Sequence, residues 1–521
     1  MLNNSPSHLS TFYTTRAFLK IQKLKNQTNL VTEASLSLRS SIGFDLPNPL
    51  PTWSQTSTPC NWTGVLCNQF GQGVVSLDLF GFRLSGSISP HIGNLSFLQS
   101  LYLQNNLFTG PIPREITNLS RLRVVNMSSN LLQDVLPPNM TSLTKIEVLD
   151  LMSNKITGEV PKVLSLLTKL EVLKLGRNVF YEKIQQSLAN LSSLTVLNLG
   201  TNSLNGAITS EIGCLHKLVE LDLSVNNLTG HVPPSVYNVS SLVKFSVGSN
   251  QLSVEIPYDV GPVPPGLGNL HYHQMYIIGH NNIVSSGEDG LSLLTSLTNS
   301  IKLTYLAIDS NLLEGVTPES IGNLSKALPQ FYMGGNRIYG KIPSSIGLKS
   351  LTFLNMSSNL ISGEIPIQIG ELEDLQMLGL VNNRISGVIP SLLGNLQKLS
   401  NVDLLHGSIL KESLNLPSLS TIFNLANNFL SGALPNAIGF LEKVITIDLS
   451  NNLFPGNIRS SIKNCKSLEE LFMAHNRFSG LIPTTLGQIK GLQVLDLTSN
   501  QLSESIPDAL QKLQTLKYLN L

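Results

Sequence analysis

Residues 98–121 read LQSLYLQNNLFTGPIPREITNLSR, and every other part of the chain can be measured against them. Leu98, Leu101 and Leu103 are spaced for a short strand with inward leucines, and Asn106 closes that segment. Leu107 then opens LxxGxIP, which ends at Pro113, and an apolar return completes the unit. The phase recurs every 24 residues, at Asn130, Asn154, Asn178, Asn202, Asn226 and Asn250. Such a period means that one small unit is copied and stacked, each copy packing only on its neighbours. Stacking removes the size limit that would otherwise divide 521 residues among several cores.

Each position has a physical task. The asparagine side chain can bond backbone groups of the adjacent loop, satisfying amides that the turn would bury unpaired. Glycine allows the following bend, and proline fixes φ and ends strand pairing. This period and lettering define a leucine-rich repeat. The Gly-x-Ile-Pro half and the frequent Gly-Asn-Leu resemble the plant-specific form found in receptor-like kinases and receptor-like proteins, over roughly residues 32–521. The resemblance implies an α/β repeat solenoid: a plant-type superhelix with a parallel concave β-sheet, about 18 repeats, an N-terminal helical cap and no C-terminal cap.

Residues 1–31 are polar and basic, without the apolar run of a secretory signal, and are expected to be a disordered extension outside the repeat pattern. Residues 32–72 resemble the N-terminal cap of plant leucine-rich-repeat receptors, with a helix over Ala34 to Ile42 and Trp53 as an apolar plug. That resemblance implies a Cys60–Cys67 disulfide, worth about 2.5 kcal/mol by chain entropy and requiring an oxidising compartment. Cys214 and Cys465 stand too far apart to pair and read as small buried residues.

The array occupies 73–521 and is irregular near 258–300 and 404–427. Phe82 stands where the first asparagine would. After Asn250 the ladder continues at Asn281, Asn311, Asn336, Asn359 and Asn383, then at Gly407 in place of asparagine, then at Asn428, Asn452, Asn476 and Asn500. The spacing from Asn281 to Asn311 matches a longer repeat of one receptor-kinase subfamily, which includes immune receptors for bacterial peptides. Pro262 to Pro265 reads as the scar of lost repeats. A nineteenth unit stops at Leu516, Leu519 and Leu521, as a truncated ectodomain would.

A net charge of +1 argues against nucleic acid as a partner, and no run of 18 apolar residues exists to span a membrane. No phosphate loop, HRD, DFG or HExxH occurs, so no catalysis, metal or cofactor is expected. Asp150, Asp222 and Asp448 recur at one phase and read as solvated strand residues. Sequons fall at Asn61, Asn94, Asn118, Asn126, Asn139, Asn190, Asn227, Asn238, Asn323 and Asn355. Asn94, Asn118, Asn190 and Asn238 share one phase and would stack along an outer edge. On the concave face, Tyr102, Tyr305, Tyr332, Phe353 and Phe472 are exposed aromatics that could anchor an extended peptide. His280, His406 and His475 occupy the position before the ladder residue.

The resemblance implies a cell-surface receptor-like protein, extracellular or at the plasma membrane. It would bind a peptide or protein ligand, pair with a leucine-rich-repeat co-receptor and act in signalling or defence; the relatives' Ser/Thr kinase is absent from this chain. Two other expectations are a secreted inhibitor resembling those of polygalacturonases, and a non-functional receptor-kinase fragment.

Overall fold

The computed structural model describes residues 42–44, 50–253 except 55, 56 and 72, 267–403 except 286, 288 and 387–389, and 414–521 except 415, 417, 428, 429 and 504. The extension 1–31, nearly all of the predicted cap helix, Pro262 to Pro265, His406, Gly407 and Asn428 therefore lie outside the described residues. Ile42, expected at the end of that helix, instead begins the strand Ile42–Phe44, which pairs antiparallel with Leu84–Ser87. The chain forms two compact units that meet in sequence between Thr229 and Gly230.

In the first unit, Val65–Cys67 pairs antiparallel with Val74–Asp78. Parallel strands follow at Ser100–Tyr102, Val124–Asn126, Val148–Asp150, Val172–Lys174, Val196–Asn198 and Glu220–Asp222. The middle residues align as Leu77, Leu101, Val125, Leu149, Leu173, Leu197 and Leu221, so each inward side chain stacks on its copy. All are buried, as are the partners two residues on, such as Leu103 and Leu151. A second parallel sheet runs from Leu84–Ser87 to Asn227–Thr229 through the residues that follow each ladder asparagine. The return segments are 3-10 helices such as Arg114–Asn118, most entered through extended backbone, as at Pro113 and Pro161.

The second unit repeats the plan from Lys244–Ser246 to Tyr518–Asn520. Its long sheet stays in register across both irregular stretches: Phe245 lies opposite Tyr276, and Val402 opposite Phe423. The longer repeat places an α-helix, Ser292–Leu297, where most others have a 3-10 turn. Extra chain is accommodated away from the strands because the three-residue strand and its ladder bonds fix the register.

The ladder asparagine is the main polar brace. Asn130 donates through Nδ2 to the carbonyls of Leu103 (2.9 Å), Met127 (3.1 Å) and Ser128 (3.2 Å), and its Oδ1 accepts from the Phe108 amide (3.0 Å). Asn311 and Asn476 repeat this pattern in the second unit. The preceding residue takes a positive φ, for example Asn105 (58°), Val225 (53°) and His280 (55°). That conformation suits glycine or asparagine and costs other side chains energy.

The cap is closed by Trp53, fully buried and stacked on Trp62 at 5.0 Å, with its indole N–H on the Thr63 carbonyl at 2.9 Å. Cys60 and Cys67 are disulfide-bonded with Cα atoms 5.5 Å apart. Cys465 is buried, and desolvation pushes its thiol up to about 12. Cys214 corrects the expectation of burial. It is exposed because it ends the 3-10 helix Ser210–Cys214, at the outward position that Asn94 and Asn118 hold elsewhere.

Candidate functional site

On most of the three-residue strands of the long sheet the middle side chain is buried and its two neighbours face outward, typically half-buried. The third position has a structural use that its chemistry explains. Asp150 Oδ1 accepts the Met152 amide at 3.1 Å, Asp222 that of Ser224 at 3.0 Å, Asp448 that of Ser450 at 2.9 Å and Asp496 that of Thr498 at 3.1 Å. Asn126, Asn198, Asn355 and Asn424 do the same. These carboxylates and amides cap the turn that follows the strand. The recurring aspartates are turn braces as well as solvated groups; burial raises the Asp150 carboxyl above its usual range despite that hydrogen bond.

Where the cap is missing, the face is released from this duty. Tyr102, Lys174, Gly379 and Phe472 are single interruptions. Ser246 carries no acid or amide, and the next three in succession, Ile277, Ala307 and Tyr332, cannot make the bond at all, on the strands Met275–Ile277, Tyr305–Ala307 and Gln330–Tyr332. Tyr305 and Tyr332 come together there, with ring centroids 5.6 Å apart and planes tilted by 39°. Phe353 stands in Tyr305's column, both opposite Gln330. Tyr102 is next to Asp78 and Asn126, and Phe472 lies between Asp448 and Asp496, so neither joins this group.

Two polar residues complete the patch. Asp309 lies two residues beyond Ala307, and no other repeat carries a charge at that phase. Its carboxylate is 21% exposed, and Oδ2 is 3.2 Å from His280 Nε2, whose side chain is 65% exposed. Desolvation raises the Asp309 carboxyl, with His280 opposing. Desolvation also raises both tyrosine hydroxyls; Tyr332 and then Asp309 add to the effect at Tyr305, and Asp309 adds to it at Tyr332. Glycine on the preceding strand makes room for the carboxylate. A Cβ on Gly279 would sit 2.6 Å from Asp309 Oδ1, and Gly334 occupies the matching position on the next strand. The histidine and aromatics were legible in the sequence; Asp309 was missed, although its uniqueness at that phase was a usable signal.

Other features are better explained locally. A cleft of about 390 Å³ in the first unit is lined by Gln99, Arg121, Arg123, Lys145, Glu147 and Lys169. Arg123 is engaged by Glu147 at 2.6 Å, and Arg121 lies 4.6 Å from the Phe97 ring centre. Among the described residues no cluster could hold a metal ion, and no helix is long and apolar enough to cross a membrane. Of the sequons, Asn94, Asn118, Asn190, Asn238 and Asn323 are exposed and each ends a 3-10 helix. Asn61, Asn139 and Asn227 are exposed too, whereas Asn126 and Asn355 are half-buried on the sheet face with Oδ1 engaged in caps.

Comparison with known proteins agrees with this architecture. The family model described as leucine rich repeat N-terminal domain matches residues 33–68, and leucine rich repeat models match 97–119, 217–239, 350–372, 374–396 and 466–521. The LRR receptor-like serine/threonine-protein kinase EFR of Arabidopsis thaliana is 41% identical over 87 residues, which is 16% of this chain and 8% of that protein. A probable LRR receptor-like serine/threonine-protein kinase of the same plant is 42% identical over 76 residues, again 8% of its length. Among solved structures, the ectodomain of the Arabidopsis receptor kinase HAESA, in complex with an N-terminally extended IDA peptide hormone, covers 95% of this chain and 93% of its own at 30% identity and a TM-score of 0.71. The PEPR1–AtPEP1 structure covers 94% of this chain and 78% of its own, at 28% identity and a TM-score of 0.67. HAESA with IDA and the co-receptor SERK1 covers 95% and 93%, at 29% identity and a TM-score of 0.64.

Proposed function

The chain belongs with the leucine-rich-repeat ectodomains of plant receptor kinases, and from that premise we propose that it is an extracellular ligand-binding ectodomain of a receptor-like protein. It takes an extended peptide across the strands Met275–Ile277 to Phe353–Asn355 and pairs with a leucine-rich-repeat co-receptor. The observation that carries this reading is the run of three uncapped strands, which replaces turn-bracing acids and amides with aromatic and apolar side chains. Rigid aromatics on a polar sheet supply contact area at low entropic cost. HAESA and PEPR1 support it as structural neighbours, their structures containing IDA and AtPEP1 respectively.

The chain divides into an extension at 1–31, a cap at 32–72 and the repeat array at 73–521. The Cys60–Cys67 bond supports passage through an oxidising compartment. The exposed sequons at the 3-10 helix ends are the glycosylation sites, and Asn126 and Asn355 stay unmodified.

Affinity selection from a random decapeptide library, using chain secreted from plant cells, tests the reading. Selected peptides should bind wild type and lose at least tenfold in affinity for the Tyr305→Ala/Tyr332→Ala double variant. Failure to select any peptide, or equal binding by the double variant, would contradict it.

A further inference from the structure

The patch around Asp309 combines features that none of its residues shows alone. Two tyrosine rings lie 5.6 Å apart on neighbouring strands, and a largely buried carboxylate, Asp309, stands just past the end of the strand that carries Tyr305. Glycine, at Gly279 and Gly334, holds the same phase in the repeats before and after, so neither adds a side chain there. From Met275 to Ser358 the outward strand and turn positions hold no lysine or arginine, and Asp309 is their one carboxylate. Its charge is met by His280, a mostly exposed ring at the rim, and by hydrogen bonds from its own backbone and from the Ser310 side chain.

We infer that Asp309, Tyr305 and Tyr332 form a subsite for one arginine side chain of the bound peptide. The inference rests on the peptide-binding reading above and deepens it. A guanidinium suits the place better than an ammonium. Its flat face can lie against a tyrosine ring while its N–H groups reach the carboxylate, and it is the more weakly hydrated of the two cations. The carboxylate, already partly stripped of water, gains more from a charge-assisted hydrogen bond than an exposed one would. His280 holds Asp309 Oδ2 in the free protein and gives way when the guanidinium arrives; its exposure makes that displacement inexpensive. Gly279 leaves room for Oδ1, which a Cβ there would meet at 2.6 Å.

The test takes the peptides selected on wild-type chain and remakes each with citrulline, which keeps the shape of arginine and removes its charge. Arginine should be enriched at one peptide position. Its replacement by citrulline should weaken binding to wild type about tenfold or more. Asp309→Asn should weaken the arginine peptide by a similar factor and leave the citrulline peptide unchanged. Tyr332→Leu, a second variant, should also lower the preference for arginine over citrulline, with melting temperatures verifying that both variants fold. Selected peptides with no enriched arginine would overturn the subsite while leaving the peptide-binding function standing. So would equal binding of the arginine and citrulline forms, or equal losses for both on Asp309→Asn. If wild type selects no peptide, both readings fall.

Discussion

The strands from Ser100–Tyr102 to Glu220–Asp222 and those from Met275–Ile277 to Gln330–Tyr332 share a backbone and differ in what they show to solvent. In the first set, valines fill four successive first positions, Val124, Val148, Val172 and Val196, and most third positions carry a capping acid or amide. In the second set the first position holds Met275, Tyr305 and Gln330, and the caps are gone. The core changes as well. His273 stands where Leu98 and Leu303 stand in their repeats, and Tyr276 takes the place of Leu101, its hydroxyl 3.3 Å from that of Tyr237. Regular repeats use their surface polar groups to brace the fold. The irregular pair gives up some of that bracing and presents aromatics instead, while the asparagine ladder holds both regions in shape.

Removing the ladder should break both regions alike, with the largest effect. Asn130→Ala strips partners from three carbonyls and the Phe108 amide, and should cost on the order of 4 kcal/mol in denaturant unfolding. Asn311→Ala should match it.

Acid should separate the two regions next. His273 is buried with Nδ1 3.1 Å from the Leu242 carbonyl, and desolvation pulls its pKa down to about 4 against the opposing pull of backbone at Leu242 and Met275. The unfolded chain takes up that proton first, near its ordinary value of 6.5. The associated stability is complete above pH 6.5 and is lost as pH falls toward 4, on the order of 3 kcal/mol in all. Melting curves at pH 7 and pH 4.5 should show that loss in wild type and a smaller one in His273→Leu.

Much of this was readable beforehand. The period located the strands and the ladder because every unit repeats the same packing problem. Trp53 and the cysteine pair were legible from the cap motif. Sequence reading took the stretches near 262 and 407 as damage to the array, yet Lys244–Ser246 pairs with Met275–Ile277, and Asn401–Asp403 with Ile422–Asn424. Register depends on three residues per strand, and length between strands says little about it. Cys214 was misread because its burial depends on a one-residue phase difference from Cys465 at the end of a 3-10 helix. Asp309 went unnoticed because other aspartates recur two positions earlier, and only the strand register shows that their oxygens are occupied by turn amides.

The cap itself gives a sharper contrast of smaller size. Asp222→Ala loses the Ser224 amide and hydroxyl and the Asn198 amide group, and should cost about 2 kcal/mol. Tyr332→Ala should cost about 1 kcal/mol or less in stability and lower peptide affinity instead. Smallest is Val225→Asn. Val225 is exposed at a φ of 53°, and asparagine already serves that position at Asn105 and Asn382. The change should stabilise the chain by about 1 kcal/mol, read as a raised midpoint of thermal unfolding.

The most direct test of where recognition resides is to map it. Library-selected peptides carrying a benzophenone group would be photo-crosslinked to the secreted chain and the attachment points found by mass spectrometry. Attachment within residues 274–358 is the result expected. Attachment along the capped strands between Ser100 and Asp222, or on the second sheet, would contradict the account.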